Sequence, residues 1–304
     1  MVIKDIAVLW RDNKKQFVKE STYSAYCLLL TNHIIPYFGD KEELVEEDVQ
    51  QFVLDSLANG LSEKTIKDII VVLKMIQKYG AKYKLMNLNQ IDVNFPANSS
   101  KKELEIMSKD NQKKLFEYLK ENFSFKNLGI VICLCTGLRI GELCALRWQD
   151  FDMDENVLMV RHTVQRIYVV DEEVRYTKIV VNEPKTKESN RDIPLSSELL
   201  KIIKPLMKVV NQDFYVLSND VNPIEPRTYR NYYKRLIKKL NIPYLKFHGL
   251  RHSFATRCIE SKNSVKTVSV ILGHSNITTT MNLYVHPDNH EKKRCIEKML
   301  KDIL

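Results

Sequence analysis

Apolar residues recur at helical spacing along most of the chain and at strand spacing only near its middle. From Ser21-Thr22, which can cap a helix N-terminus, Tyr23, Tyr26, Leu29, Leu30 and Ile34 share one face. That helix should stop before Pro36, with Phe38-Gly39-Asp40 as a turn. The acidic run from Lys41 to Leu57 predicts a second amphipathic helix, closed by Asn59-Gly60. A third, Ser62 to Tyr79, puts Ile66, Ile69, Ile70, Leu73 and Ile76 on its core side and gathers Lys64, Lys67, Lys74, Lys78 and Lys82 opposite. Those lysines are either a solvated face or a rigid row able to follow a phosphate backbone; the pattern alone leaves both open.

The polar stretch Asn94–Lys102 reads as a linker. It divides the chain into a helical unit (1–94), a connection (95–103) and a larger domain (104–304). In that domain a helix begins at Ser108, and the apolar run from Leu128 to Cys135 must be buried. From Val157 to Leu195 the chain is rich in Val, Ile, Tyr and Thr and partly alternates. This predicts a small antiparallel sheet with turns near Asp171-Glu172 and Lys187–Asn190. Helical spacing returns at Pro226. The fold class is therefore mainly α (α+β), without internal repeats.

Composition narrows the class. A length of 304 residues suits two domains with real cores, and 44% apolar with 28% charged residues suits a soluble globular chain. No run approaches the roughly 18 uncharged apolar residues that would span a bilayer, so no membrane role is expected. The N-terminus carries no export signal, and six cysteines lack CxxC pairs, which fits a reducing cytoplasm. The net charge of +9 is uneven: 12 basic and 13 acidic residues precede residue 100, and 35 basic and 25 acidic follow it. A polyanionic partner for the C-terminal part, nucleic acid first, is the natural inference.

Four segments set strong polar groups beside apolar runs. In Thr136–Trp148, a buried helix should end at Gly137 and another begin around Arg139, which shares a face with Glu142. The pair is an ordinary salt bridge or an arginine aimed at a phosphate. Pro184–Leu195, with Lys185, Lys187 and Arg191, is a basic turn between strands, solvated or functional. His248-Gly-Leu-Arg251-His252 offers two imidazoles at i and i+4, but the residue after His248 is Gly249, not the glutamate of a zincin, so no metal is expected. The fourth, Leu272–His286, holds His274 and Tyr284.

Taken together, these residues meet the needs of phosphodiester transfer without a metal. The transition state spreads negative charge over non-bridging oxygens, which guanidinium and imidazole donors can stabilise. The leaving oxygen needs a proton, which a lysine can supply. A phenol with a free pKa of about 10 can act as nucleophile if cations or a base help remove its proton.

The order TGLRIGEL, PKTKESNRDIPL, HGLRHSFAT and LGHSNITTTMNLYVH resembles the tyrosine recombinases, the phage integrase family, over nearly the whole chain. The resemblance implies that Arg139 and Arg251 clamp the scissile phosphate and that Lys185, with Lys187 as its rival, is the general acid toward the leaving 5′-hydroxyl. It makes His248 the histidine assisting proton transfer at the nucleophile and His274 the second phosphate donor. Tyr284 becomes the nucleophile that forms a 3′-phosphotyrosine. Glu142 would buttress the site, with His252 and His286 supporting.

The same resemblance implies a SAM-like core-binding domain and a mostly helical catalytic domain that clamp the duplex. Lys64, Lys67, Lys74, Lys78, Ser21 and Thr22 then become DNA contacts. Partners would be double-stranded DNA with inverted-repeat core sites and a homotetramer on two duplexes, exchanging strands through a Holliday junction without ATP or any cofactor. The tail, with Ile296, Met299, Leu300 and Ile303 on one face, would dock on a neighbouring protomer. An accessory excision factor and a bacterial, nucleoid-associated location belong to the same picture.

Two departures stand out. A glycine often found in the family is replaced in Glu260–Asn263, so the turn must take its positive φ elsewhere, with Asn263 the expected position, or adopt another shape. The core-binding unit also starts almost at residue 1, so an arm-binding domain is not expected, which puts directional control by arm sites in doubt. A mobile-element integrase is favoured over a Xer-like dimer resolvase. A type IB topoisomerase fits the layout poorly, and the intact catalytic set speaks against a catalytically silent DNA-binding regulator.

Overall fold

The computed structural model describes residues 1–96, 104–170, 175–184 and 187–284, with six positions between 293 and 300. It divides into two units, Met1–Lys101 with Arg166–Lys178, and Lys102–Gln165 with Ile179–Leu304.

The first unit is helical. α1 (Ile3–Lys15) adds a helix to those expected and buries Ile3, Ile6, Ala7 and Trp10 at i, i+3, i+4, i+7. α2 (Glu20–Leu29) starts one residue before the expected caps: Lys19 is the N-cap, and Ser21 and Thr22 lie inside the first turn, where Glu20 complements the helix dipole. Ser24 Oγ in α2 accepts from the Tyr168 N–H at 2.8 Å.

Pro36 does not end this run of helix as expected. A π-helical turn, Leu30–Ile34, carries it into α3 (Ile35–Phe38), and the Ile35 N–H donates five residues back to Leu30. The wider turn makes room for a proline that has no N–H and would crowd the carbonyl four residues before it. α4 (Glu46–Ala58) begins five residues later than its acidic run, with Glu46, Glu47 and Asp48 in the first turn. α5 (Glu63–Lys82) opens on Ser62, whose Oγ accepts from the Thr65 N–H. Its expected face is buried, and Lys64, Lys67, Lys74 and Lys78 are exposed, Lys67 paired with Glu63.

In the second unit α6 (Lys109–Glu121) is capped by Ser108. α7 (Phe125–Thr136) is buried from Asn127 to Leu134 and forms the middle of a core with Trp148, Tyr229, Tyr233 and Phe247. α8 (Ile140–Ala145) follows, then β1 (Phe151–Asp152), β2 (Val157–Val160), β3 (Thr163–Val170), β4 (Arg175–Asn182) and β5 (Arg191–Pro194), of which β3 from Arg166 and β4 up to Lys178 belong to the first unit. The expected single sheet is two: an antiparallel β1-β2-β5 sheet with Leu158 opposite Ile193 and Val160 opposite Arg191, and a separate β3-β4 pair. Alternation fixes which residues face inward but not which strands become neighbours. The Asp171-Glu172 turn lies outside the described residues, and Lys187–Ser189 forms a 3₁₀ turn.

α9 (Ser197–Met207), α10 (Pro226–Lys239), α11 (His248–Glu260), α12 (Val265–Leu272) and α13 (Ile277–Tyr284) complete the unit. After α11 the positive φ falls on Lys262 (60°), not on Asn263. The Asn263 N–H reaches the Cys258 carbonyl and the Lys262 N–H reaches that of Ile259. This pairing is a Schellman closure, in which the residue before the last donor must be left-handed. Among the described residues, no helix is long and apolar enough to cross a membrane.

Candidate active site

The site grows from three helix ends. α7 closes at Gly137, whose φ of 65° turns the chain sharply, and a Cβ there would stand 2.6 Å from Phe254 Cδ1. The turn delivers Arg139 to the N-cap of α8 and Glu142 to its first turn. Glu142 Oε2 accepts from the Arg139 N–H (2.9 Å), and Oε1 accepts from the Arg139 guanidinium (2.7 Å).

Both carboxylate oxygens also accept from Arg191, at 3.1 and 2.9 Å. Arg191 occupies an inward position of β5, where alternation would place an apolar side chain, and is buried with Glu142. Burial alone would raise the Glu142 pKa, but the hydrogen bonds and charge of Arg191, with the charge of Arg139, hold it below its ordinary value. Removing either member of this buried pair would strand the other's charge at a cost of about 3–5 kcal/mol.

The C-terminus of α12 fastens the cations. Three successive carbonyls each accept from an arginine: Ile271 from Arg191 Nε, Leu272 from Arg251 (2.7 Å) and Gly273 from Arg139 (2.9 Å). Carbonyls at a helix end lack intrahelical donors and carry the negative end of the dipole, so cations suit them. Gly273, at φ 65°, is needed because a Cβ would meet the Glu188 carbonyl and the Arg191 side chain at about 3 Å.

Arg251, on the first turn of α11, is only 1% exposed and also donates to the Gly137 carbonyl at 2.8 Å. Burial, followed by the positive charge of Arg139, pulls its pKa down to about 9. It has no carboxylate partner among the described residues, so an anion between the two guanidiniums would relieve both desolvation and mutual repulsion.

His274 follows Gly273 and is oriented by Thr280, with Nδ1 2.8 Å from Oγ1. His248 opens α11 and stands edge-to-face against His252, ring centroids 4.5 Å apart. Burial first, and then neighbouring cationic groups, depress both His248 and His274 to about 4. Tyr284 ends α13, buried against Ala255, Val268 and Leu272. Burial raises its phenol to about 12, an effect that Arg251 and Arg139 partly offset. Its hydroxyl is hydrogen bonded to Nδ1 of His252 at 2.6 Å.

The fold thus gathers Arg139, Glu142, His248, Arg251, His274 and Tyr284, drawn from three of the four sequence segments, into the second unit. Lys185 and His286 lie outside the described residues. Ser21, Thr22, Lys64, Lys67, Lys74 and Lys78 belong to the first unit. Arg191, Thr280 and the contact of His252 with the phenol are additions. Arg191 stands in the same basic segment as Lys185, but its link to Glu142 spans 49 residues and leaves no local pattern.

Residues 105–291 match the phage integrase family, and residues 2–55 match the phage integrase N-terminal SAM-like domain. The chain is 30% identical over 285 residues to a tyrosine recombinase XerC-like protein of Caldanaerobacter subterraneus subsp. tengcongensis, covering 86% of this chain and 72% of that one. It is 22% identical over 306 residues to the ICEBs1 integrase of Bacillus subtilis, with 96% and 79% covered. Its fold is similar to that of the Tn1549 transposon integrase in complex with transposon right end DNA, at a TM-score of 0.78 and 23% identity, with 99% and 100% covered.

Proposed function

The chain belongs to the phage integrase family, the tyrosine recombinases, and from that premise we propose how its own residues cut and rejoin DNA. Arg139 and Arg251 hold the non-bridging oxygens of the scissile phosphate, with His274 as a further donor. Tyr284 attacks phosphorus and forms a 3′-phosphotyrosine. Lys185 protonates the leaving 5′ oxygen, and His248 assists proton transfer on the nucleophile's side. Glu142 and Arg191 set the angle of Arg139. Bond energy is kept in the phosphotyrosine, so rejoining needs no ATP. The convergence of two guanidiniums on neighbouring carbonyls, in the same unit as a buried phenol, carries this reading.

Residues 1–94 act as the core-binding domain and 104–304 as the catalytic domain, joined by 95–103 and closing as a clamp on the duplex. Ser21, Thr22 and the α5 lysines contact its backbone. Four protomers hold two inverted-repeat core sites, linked by C-terminal segments docked on neighbours and assisted by an excision factor, at the nucleoid. Similarity to an ICEBs1 integrase and a transposon integrase supports movement of a mobile element. Similarity to a XerC-like recombinase supports dimer resolution as the second reading.

A nicked suicide duplex tests the chemistry once the crossover site has been mapped by capturing the covalent adduct on element DNA. Wild type is expected to become covalently attached and Tyr284→Phe to remain free. Absence of an adduct with wild type on a cognate site refutes the assignment. Strand exchange between two duplexes, rather than relaxation of one, separates recombinase from topoisomerase.

A further inference from the structure

The expected roles leave one close contact without a use. The Tyr284 hydroxyl meets His252, not His248, and does so at 2.6 Å, within the range for direct proton transfer. We propose that His252 is a further catalytic histidine, which holds the Tyr284 hydroxyl and accepts its proton as the phenol attacks phosphorus. This rests on the recombinase reading above.

Both partners ride on well-anchored elements. His252 follows Arg251, whose guanidinium ties α11 to the Gly137 and Leu272 carbonyls. Tyr284 packs on Ala255 of α11 and on Val268 and Leu272 of α12. At 8% exposure the tyrosine is poorly placed to lose its proton to bulk water.

Around the imidazole stand the Arg251 guanidinium and the His248 ring on α11 and the phenol on α13. Burial and the charge of Arg251 lower the His252 pKa, which keeps an Nδ1 lone pair available when the ring proton sits on Nε2. His248, its ring centroid 4.5 Å from that of His252, assists the proton transfer through His252.

The step balances. Tyr284 Oη forms its bond to phosphorus while its proton passes to Nδ1 of His252. The bond from phosphorus to the 5′ oxygen breaks with its electron pair on that oxygen, which takes a proton from the general acid assigned to Lys185. In rejoining, the 5′-hydroxyl attacks phosphorus and returns its proton to the amine assigned to Lys185, while the bond from phosphorus to Tyr284 Oη breaks and His252 returns its proton to the departing phenolate.

Single-turnover adduct formation on the nicked duplex tests the role, with wild type, His252→Phe and His252→Gln, each carrying either tyrosine or a fluorinated, more acidic tyrosine at position 284. Both His252 variants are expected to slow cleavage by about 100-fold or more, in line with the loss of a general base. The fluorinated phenol should recover most of that loss. A 5′-bridging phosphorothiolate, whose leaving group needs no proton, should recover none of it. His252→Gln keeps a polar side chain of similar reach and guards against loss of fold. Cleavage by the variants at the wild-type rate or faster overturns the proposal, as does a loss that the acidic phenol leaves untouched. Absence of an adduct with wild type would instead count against the recombinase reading itself.

Discussion

Glu142 has four donors on two oxygens, and their sources explain the site's rigidity. One arginine, Arg139, is the one proposed to hold the phosphate, while the other, Arg191 from β5, fixes the carboxylate that aims it. The histidines carry the opposite burden. His248 and His274 are held neutral in the fold, at about 4, against an ordinary value of 6.5. Unfolding therefore takes up protons between those values, so their contribution is complete above pH 6.5 and is lost as pH falls toward 4. In the DNA-free protein, Tm is expected to drop over that window, and a His248→Gln, His274→Gln double variant should flatten the slope. An equal slope in both proteins would show that other groups control acid sensitivity.

At the scale of elements, helix ends do most of the positioning. Gly137 ends α7, offers its carbonyl to Arg251 and starts the turn to Arg139. Gly137→Ala must hold a left-handed residue and push against Phe254 and Leu272, a combined cost of about 2–4 kcal/mol. Urea denaturation should register that loss, and adduct formation should fall with it because Arg139 and Arg251, the arginines proposed to hold the phosphate, both shift. Unchanged stability would mean that α11 and α12 move apart freely. Gly137 as the end of α7, Ser62 before α5 and Ser108 before α6 were legible because each is a local signal. Neither the π-turn that accommodates Pro36 nor the split of the strands into two sheets was legible. Each depends on which segments pack beside one another, and alternation or a lone proline does not encode that.

For the whole molecule, charge is distributed by unit and by face. The N-terminal hundred residues are nearly neutral in sum, yet α5 exposes Lys64, Lys74 and Lys78, while acidic residues gather at the start of α4. If those lysines meet phosphates, replacing the three by glutamine should weaken DNA binding and flatten the dependence of log K on log salt by about 0.9 per lost contact. Lys67 should contribute less because Glu63 already pairs with it. A salt slope equal to that of wild type would take α5 off the DNA. Net charge could not reveal this face, since it adds together groups that a helix keeps apart.

Motifs and periodicity determined the family, the helical character and the buried run of α7, and they picked out the candidate site residues, because each is carried by neighbours in sequence. Only tertiary structure decided which groups support them. The three arginines on successive α12 carbonyls, the bidentate pairing of Arg191 with Glu142, and the meeting of Tyr284 with His252 join residues 21 to 134 positions apart. The physical reason is that directional hydrogen bonds between distant segments form only after apolar burial has fixed the helices that bear them, and burial, being non-directional, writes no pairing into the chain.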